Sequence, residues 1–238
     1  MTVDLRCGPW EQSLADVAEV AAVITDPPYG KRTHDGNANL PEQCLRSDLS
    51  GYAHWLPEHV AAFVASWSPR CTGWICAMTS DDLIPAGRDA YSDAKRLDFA
   101  PIPILAHRVR MSGDGPGSGA VYLMVARPQE KRFLSWGSLP CWYLTIPDKT
   151  GIVNGAKTLE VMRKIVADYS RPGDLVCDPC AGGATTLMAA RAEGRRAVGS
   201  ELDPATFAKA QARLAKPWTP DMWTGAADIV TEQDSLPW

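Results

Sequence analysis

Apolar residues recur along this chain in two patterns. Short continuous runs, of which Val-Ala-Ala-Val-Ile-Thr at 20–25 is the clearest, are typical of buried strands. Apolar residues that repeat every three or four positions are typical of helices with one buried face. The predicted strands lie at 3–6, 20–25, 74–78, 175–177 and 197–199, and the predicted helices from about 11, then at 56–66, 80–96, 157–169, 184–193 and 203–214. Because strands alternate with helices, the pattern predicts an α/β fold with a mainly parallel sheet covered on both faces.

Residues 101–109 and 120–126 form two further apolar runs. They flank the glycine-rich segment 112–119, an arrangement that predicts a long hairpin. No predicted helix follows the glycine tract, so we interpret it as a flexible tip rather than as a phosphate-binding loop. The sequence shows no internal repeat, and its 238 residues suit one globular domain, 1–238.

The tetrapeptide Asp26-Pro27-Pro28-Tyr29 follows the strand at 20–25 directly. In open α/β sheets, ligands bind at this carboxyl end of a strand. The Asp26 carboxylate and a backbone carbonyl of the prolines can each accept one N–H from an exocyclic amine, and would stabilise the positive charge that grows on the amine during attack. The proline rings hold this arrangement by fixing φ, and Tyr29 offers a face for an unstacked base. An ordinary proline-rich turn is the alternative, and the tetrapeptide alone does not decide between the two.

A second group of residues, at 171–201, has the layout of a nucleoside-cofactor site. The strand at 175–177 is followed by a tight loop at 178–183, then by a helix and by a second strand that ends at the acid Glu201. Glycines let the backbone approach a ligand, a helix N-terminus faces its anionic end, and the acid binds ribose hydroxyls. The loop lacks the G-x-G-x-x-G pattern, so a dinucleotide fingerprint is absent.

Together these segments resemble the amino-methyltransferases that act on adenine N6 or cytosine N4 of DNA with S-adenosylmethionine. That family carries D-P-P-Y, here at 26–29, and a D-P-F-x-G-S-G-T-T loop, here at 178–186. Residues 154–159 stand where the family has K-P-x-x-L, and residues 201–214 match its G-x-E-x-D…A…R-L stretch. The order of the motifs, with the tetrapeptide first, is similar to that of the permuted subgroup called β.

The resemblance implies a Rossmann-like methyltransferase fold with a reversed strand at one edge of the sheet, which residues 101–126 would supply. It implies that Asp26, Pro27, Pro28 and Tyr29 are the catalytic residues, that S-adenosylmethionine is the cofactor and that no metal is needed. The residues that it assigns to the cofactor are Asp178, Cys180, Ala181, Gly182, Gly183, Thr185, Thr186, Glu201, Lys157 and Trp10.

The cofactor motifs depart from the family pattern at two places. Cys180, Gly183 and Ala184 stand where Phe, Ser and Gly are usual, and these small residues still allow a close backbone approach. Thr158 replaces the expected proline, which leaves Lys157 as the matching residue.

The N-terminal turn is a third departure. Relatives often have Gly-Asp after the first strand, and that Asp contacts the cofactor adenine. Here Gly8 is followed by Pro9 and Trp10, so recognition of the adenine would rest on Trp10 or on backbone groups.

The composition and net charge limit the kinds of function that the chain can have, but they do not identify one. The net charge is −4, and 45% of the residues are hydrophobic and 22% charged, which indicates an ordinary globular protein. Phosphate contacts would therefore depend on a local basic face rather than on overall charge. The candidates are Lys31, Arg32, Arg108 and Arg110, each of which would equally suit a solvated surface.

Cysteine usage and hydropathy indicate the compartment. Seven cysteines are scattered without a disulfide framework, which suits a reducing cytoplasm. Cys177 and Cys180 form a C-x-x-C pair without a second pair at zinc spacing, so we interpret them as incidental small residues. No apolar stretch approaches the length of a membrane span. We expect a cytoplasmic protein of bacterial or phage origin.

Little of the chain remains for a separate target-recognition domain. The candidate recognition segments are 30–50, 111–119 and 127–150. In the last of these, Trp136, Trp142 and Tyr143 suit either core packing or a wedge in an opened duplex. The absence of a spare domain predicts short or relaxed target selectivity, unless a second subunit in a homodimer contributes.

The sequence therefore predicts methyl transfer from S-adenosylmethionine to the exocyclic amine of a flipped-out DNA base. Adenine N6 is favoured because the family tends to have Asp first for adenine and Ser first for N4-cytosine, and a restriction-modification context is expected. The alternatives are cytosine N4, RNA or a protein glutamine as the target of the same site, and a non-catalytic module that binds cofactor or DNA.

Overall fold

The computed structural model describes residues 2–31, 54–106, 119–130, 136–145 and 157–216. Within these ranges the chain forms one nine-stranded sheet with helices on both faces. The strands are β1 (Val3–Cys7), β2 (Val20–Thr25), β3 (Cys71–Thr79), β4 (Arg96–Asp98), β5 (Ile102–Ala106), β6 (Ala120–Pro128), β7 (Tyr143–Thr145), β8 (Leu175–Asp178) and β9 (Arg196–Glu201). The helices are α1 (Trp10–Ser13), α2 (Pro57–Trp67), α3 (Ile84–Asp93), α4 (Leu159–Tyr169), α5 (Thr185–Ala192) and α6 (Pro204–Leu214), with a 3₁₀ turn at Asp81–Leu83 before α3.

The strand order is β1-β9-β8-β2-β3-β6-β5-β7, and β4 also pairs with β6. The first five of these strands are parallel, which confirms the expected mainly parallel α/β sheet. The reversed strand is β6, antiparallel to β3, β4 and β5. The resemblance implied that the reversed strand forms one edge of the sheet. It does not, because β5 pairs with β6 on its outer side and β7 then pairs with β5 in parallel. The hairpin prediction is confirmed by β5 and β6.

The sheet is extended in opposite directions from β8 and β2. From β8 the chain passes through α5 to β9, on one side of β8, whereas from β2 it continues to β3, on the other side. Buried residues of α5 and of α2 belong to two separate apolar clusters, and β2 contributes Ile24 to one cluster and Val23 to the other. Since successive strand residues point to opposite faces, α5 and α2 cover opposite faces. The chain therefore diverges at the carboxyl ends of β8 and β2, where α/β sheets open a ligand crevice.

The helix predictions differ from the structure mainly around residues 80–96. The predicted single helix is a 3₁₀ turn followed by α3, which ends at Asp93. Lys95 then adopts a left-handed backbone conformation with φ 56°, which no helix continues through. Arg96 begins β4 and is buried, and its guanidinium donates to the carbonyls of Gly73 and Cys71.

The helices near the site begin and pack as their sequences predict. Asp203 caps α6 by accepting a hydrogen bond from the Thr206 amide at 2.8 Å, with Pro204 in the first turn. Along α4, Leu159, Met162 and Val166 are buried in the core, as the helical spacing predicted. Among the described residues, no helix is long and apolar enough to cross a membrane.

Candidate functional site

The tetrapeptide 26–29 lies at the carboxyl end of β2, as predicted. Pro27 is buried, whereas Asp26, Pro28 and Tyr29 are partly exposed. The chain that follows is held to its neighbours by two backbone groups. The amide of Gly30 donates to Ser80 Oγ at 2.9 Å, just beyond β3, and the Tyr29 carbonyl accepts from the Trp55 amide at 3.0 Å.

The side chains of Asp26, Tyr29 and Lys157 form one hydrogen-bonded group. The Tyr29 hydroxyl donates to Asp26 Oδ1 at 2.7 Å and accepts from Lys157 Nζ at 2.6 Å. Lys157 Nζ also donates to Asp26 Oδ2 at 2.9 Å and lies 5.1 Å from the centre of the Tyr29 ring. Lys157 was assigned to the cofactor by the resemblance; the structure places its ammonium against the tetrapeptide 26–29.

Burial and charge shift the pKa values of Tyr29 and Lys157. Burial and the neighbouring Asp26 carboxylate raise the pKa of Tyr29, which stays a protonated donor. Burial of Lys157 disfavours its charged form, but attraction to Asp26 and Tyr29 outweighs that effect and raises the pKa of the ammonium. Lys157 and Asp26 form an ion pair, with 10% of the Lys157 side chain and 26% of the Asp26 side chain exposed.

A hydrogen bond joins the two sequence motifs. Thr25, the last residue of β2, donates its hydroxyl to Asp178 Oδ1 at 2.7 Å, at the end of the adjacent strand β8. The Cys180 amide donates to the same oxygen at 3.1 Å. The tetrapeptide and the predicted cofactor loop therefore meet at the crevice between β2 and β8.

Asp178 is the most buried acid of the site, with 2% of its surface exposed. Burial raises its pKa to about 6, although hydrogen bonds from Thr186 and Thr25 favour the charged form, and the nearby Asp26 carboxylate adds to the rise. The carboxyl of Asp178 supports the loop from inside rather than facing solvent.

The predicted cofactor loop folds over the ends of β8 and β9. The Ala181 amide donates to the Ser200 carbonyl at 2.8 Å, which ties the loop to β9. Gly182 has a φ of 49°, and a Cβ built on it would meet no atom within 4 Å, so this part of the loop faces open space. Ala184, where the family has glycine, precedes α5 with a left-handed φ of 60°. The positive φ explains the usual glycine at this position.

Gly183, Thr185 and Thr186 line the buried side of the same loop. Arg213 of α6 donates to the Gly183 carbonyl at 2.8 Å and to Thr185 Oγ1 at 3.0 Å. Thr186 is hydrogen-bonded to Asp178. Hydrogen bonds of the two threonine side chains therefore hold the loop in place.

Glu201 ends β9, one strand away from Asp178, and is 4% exposed. Its Oε1 accepts from the Asp203 amide at 2.8 Å, and its backbone carbonyl accepts from the Gly8 amide at 2.9 Å. The acid thus stands at the carboxyl edge of the sheet, beside the turn after β1.

Trp10 packs on the face of the sheet that α2 covers. Its ring lies 5.8 Å from that of Phe63 and 6.0 Å from that of Trp67, both in α2. The turn that carries it is attached to β9, because Ser13 Oγ lies 2.6 Å from Ser200 Oγ and Ser200 donates to the Gly8 carbonyl at 2.7 Å. A contact between Trp10 and a cofactor adenine stays a prediction.

The predicted DNA-contacting residues are mostly outside the described part of the chain. Lys31 is exposed and follows the tetrapeptide closely, whereas Arg32, Arg108 and Arg110 lie outside the described residues. Of the recognition segments, only residues 30–31, 119, 127–130 and 136–145 are described.

The aromatic residues in the third recognition segment divide between core and surface. Tyr143 is buried, and the ring of Trp136 lies 6.0 Å from that of Trp74 and under the Arg171 guanidinium. Trp142 is 38% exposed. Core packing is therefore confirmed for Tyr143 and Trp136.

Cys177 and Cys180 are parts of the strand and of the loop, respectively. Burial raises the pKa of both thiols, which keeps them protonated. Within the ranges that the structure describes, no group of three metal-ligating side chains occurs.

Sequence reasoning missed three polar residues that position the site. Thr25 links the two motifs, Ser80 anchors the backbone after the tetrapeptide, and Ser200 holds the N-terminal turn. Each lies at or next to the carboxyl end of a strand, which is the one sequence signal they share.

Comparisons with known proteins give one family match and a set of similar folds. Residues 142–212 match the family model for DNA methylases of the N6/N4 type. No curated protein sequence matches the chain.

Solved structures share the fold over nearly the whole chain. The complex of M1.HpyAVI with S-adenosylmethionine is 18% identical, with 90% of this chain and 100% of that chain covered and a TM-score of 0.68. A candidate DNA modification methylase from Thermus thermophilus, solved with S-adenosyl-L-methionine, is 20% identical, with coverages of 90% and 93% and a TM-score of 0.61. The cytosine-N4-specific PvuII DNA methyltransferase is 11% identical, with coverages of 93% and 89% and a TM-score of 0.66.

The family model and the shared fold confirm the resemblance to the DNA amino-methyltransferases. Assignment to the permuted subgroup stays a prediction.

Proposed function

We propose that this protein transfers a methyl group from S-adenosylmethionine to the exocyclic amine of a flipped-out DNA base, and that the base is adenine, methylated at N6. The observation that carries the proposal is the hydrogen bond between Thr25 and Asp178. It joins the end of the strand that carries the tetrapeptide to the loop predicted to hold the cofactor, at the point where the chain diverges on the two sides of the sheet. A donor and an acceptor of a methyl group must meet at such a shared crevice.

The residues at the crevice suit S-adenosylmethionine. Glu201 is an acid at the end of β9, placed to accept hydrogen bonds from ribose hydroxyls. Gly182 faces open space, so the backbone of the loop allows a ligand to approach closely. When bound, this cofactor would supply an activated methyl group on a positively charged sulfur.

The tetrapeptide would act on the amine of the target base. Asp26 and the Pro27 carbonyl would each accept an N–H, which orients the nitrogen lone pair and stabilises the positive charge that grows on the nitrogen. Tyr29 would stack on the base once it has left the duplex. Because the prolines restrict the backbone, the acceptors are positioned before the target arrives.

The choice of adenine rests on Asp26 as the first residue of the tetrapeptide. Cytosine N4 is the second candidate, because a cytosine-N4-specific enzyme shares the fold. DNA is proposed as the substrate because residues 142–212 match the DNA methylase model.

Transfer of labelled methyl groups tests the proposal. Wild-type protein is incubated with radiolabelled S-adenosylmethionine and either mixed-sequence duplex DNA or RNA, and we expect label in DNA alone. Asp26→Ala should lower the rate about 10²–10³-fold, as for other groups aimed at developing charge. Its affinity for S-adenosylhomocysteine, measured by calorimetry, should stay near that of the wild type.

Asp89→Ala is the matched control, since Asp89 is exposed on α3. Near-normal turnover by the Asp26 variant would show that the catalytic assignment is wrong. Label in RNA alone would show that the substrate is wrong, and label in neither nucleic acid would contradict the proposed activity.

A further inference from the structure

Both carboxylate oxygens of Asp26 already have donors within the protein. Oδ1 accepts from the Tyr29 hydroxyl and Oδ2 from Lys157 Nζ. Lys157 lies 131 positions further along the chain, just before α4, so this contact arises from the fold rather than from the local sequence. Each oxygen of the acceptor predicted to hold the substrate therefore already accepts one hydrogen bond in this structure.

The Lys157 ammonium makes one of the contacts that the target amine would make. It is a nitrogen that donates to the Asp26 carboxylate at 2.9 Å, as the amine would. It also donates to the Tyr29 hydroxyl at 2.6 Å, at the edge of the ring proposed to stack on the target base. One nitrogen of the protein thus meets both side chains assigned to the target.

This arrangement opposes the proposed reaction. Asp26 can stabilise positive charge on the amine only if that charge lies close to its carboxylate. A fixed ammonium 2.9 Å from the same carboxylate would repel the growing charge and would compete with it for the acceptor. The ammonium must therefore move away from Asp26 before methyl transfer.

We propose that Lys157 is a placeholder for the target amine, a positioning residue that pairs with Asp26 in the absence of substrate and is displaced when the flipped base enters. The inference rests on the proposed function. In the free protein, Lys157 keeps a half-buried carboxylate paired, which avoids the cost of an isolated charge. The same contact must be broken by every incoming base, so Lys157 weakens DNA binding and leaves cofactor binding unaffected.

Replacing the ammonium tests this role. Lys157→Met removes the charge and keeps the length of the side chain, whereas Lys157→Gln keeps one neutral N–H donor for Asp26 and is the milder change for folding. The KM for the duplex that wild type methylates should fall about tenfold in Lys157→Met and less in Lys157→Gln, a change that corresponds to one broken contact. The affinity for S-adenosylhomocysteine, measured by calorimetry, should not change.

Lys164→Met is the matched control, because Lys164 lies on the exposed side of α4 and pairs with Glu160. It should leave both the KM and the cofactor affinity at the wild-type values. Thermal denaturation of all variants separates a loss of fold from a change in binding.

Different results overturn different claims. An unchanged or higher KM for DNA in folded Lys157→Met or Lys157→Gln protein overturns the placeholder role. A loss of cofactor affinity at unchanged KM for DNA overturns it too, and would identify Lys157 as a cofactor ligand. A wild-type protein that transfers no methyl group to DNA contradicts the proposed function itself, and the placeholder role with it.

Discussion

Replacing Asp178 by Asn should change the pH dependence of folding. The carboxyl is buried, and its pKa is about 6 in the folded protein against an ordinary value of 3.8. Below pH 4 it is protonated in both the folded and the unfolded chain. Between about pH 4 and pH 6 the unfolded chain releases the proton while the folded chain keeps it, so this group lowers the free energy of unfolding as the pH rises. Above about pH 6 the carboxyl is ionised in both the folded and the unfolded chain, so the loss of stability no longer changes with pH.

The magnitude follows from the difference in pKa. A difference of about 2 corresponds to about 3 kcal/mol of stability lost at pH 8. Asn keeps an oxygen that accepts from Thr25 and Cys180, but it buries an amide N–H₂ that needs a partner, at a cost of about 1–2 kcal/mol. We therefore expect Asp178→Asn to be less stable than wild type by about 1–2 kcal/mol at pH 4 and more stable by about 1–2 kcal/mol at pH 8.

Urea denaturation of both proteins from pH 4 to pH 8 measures this difference. Comparing the two proteins cancels the contributions of all other titrating groups. Asp93→Asn, an exposed aspartate at the end of α3, is the control for the chemistry of the substitution. If the difference between wild type and Asp178→Asn were the same at every pH, the burial argument for Asp178 would be refuted. Greater stability together with lost cofactor affinity would show that this residue is kept for function.

Three further predictions concern backbone and site. Gly30→Ala should lower kcat by about threefold to tenfold, because its Cβ would clash with the Asp82 carboxylate, which Ser80 holds, and the double variant with Asp82→Ala should recover activity; an unaffected single variant would contradict the steric reason. Lys95→Gly should raise the free energy of unfolding by about 1 kcal/mol, because glycine adopts a positive φ without strain. Ala184→Gly should change the free energy of unfolding by less, because this variant also loses a buried methyl group. Equal effects of the two variants in urea denaturation would contradict the argument from the buried methyl group. Glu201→Gln should lower the affinity for S-adenosylhomocysteine about tenfold to a hundredfold by calorimetry, and unchanged affinity would remove Glu201 from the site.

Most of the fold could be predicted from short stretches of sequence. The strands at 20–25 and 175–177 and the cap at Asp203 were predictable, because apolar runs and capping side chains act over a few residues. The position of the reversed strand β6 was not, since it depends on β5 and β7 pairing beyond it. The end of α3 was missed because a left-handed Lys95 leaves no signal in the sequence.

The candidate site was predictable as motifs but not as a network. Asp26 and Asp178 were identified from their own surroundings, each at the end of a strand. The ion pair between Lys157 and Asp26 joins residues 131 positions apart, and the bond between Thr25 and Asp178 joins residues 153 apart. Contacts at such separation depend on strand order, which no local pattern specifies.

Mass spectrometry of nucleosides is the most direct test of the central claim. Unmethylated duplex DNA of mixed sequence is incubated with wild-type protein and S-adenosylmethionine, digested, and compared with DNA treated with Asp26→Ala. The account predicts N6-methyldeoxyadenosine in the wild-type sample and its absence from the variant sample. N4-methyldeoxycytidine alone would contradict the choice of adenine, and the absence of any methylated nucleoside would contradict methyl transfer to DNA.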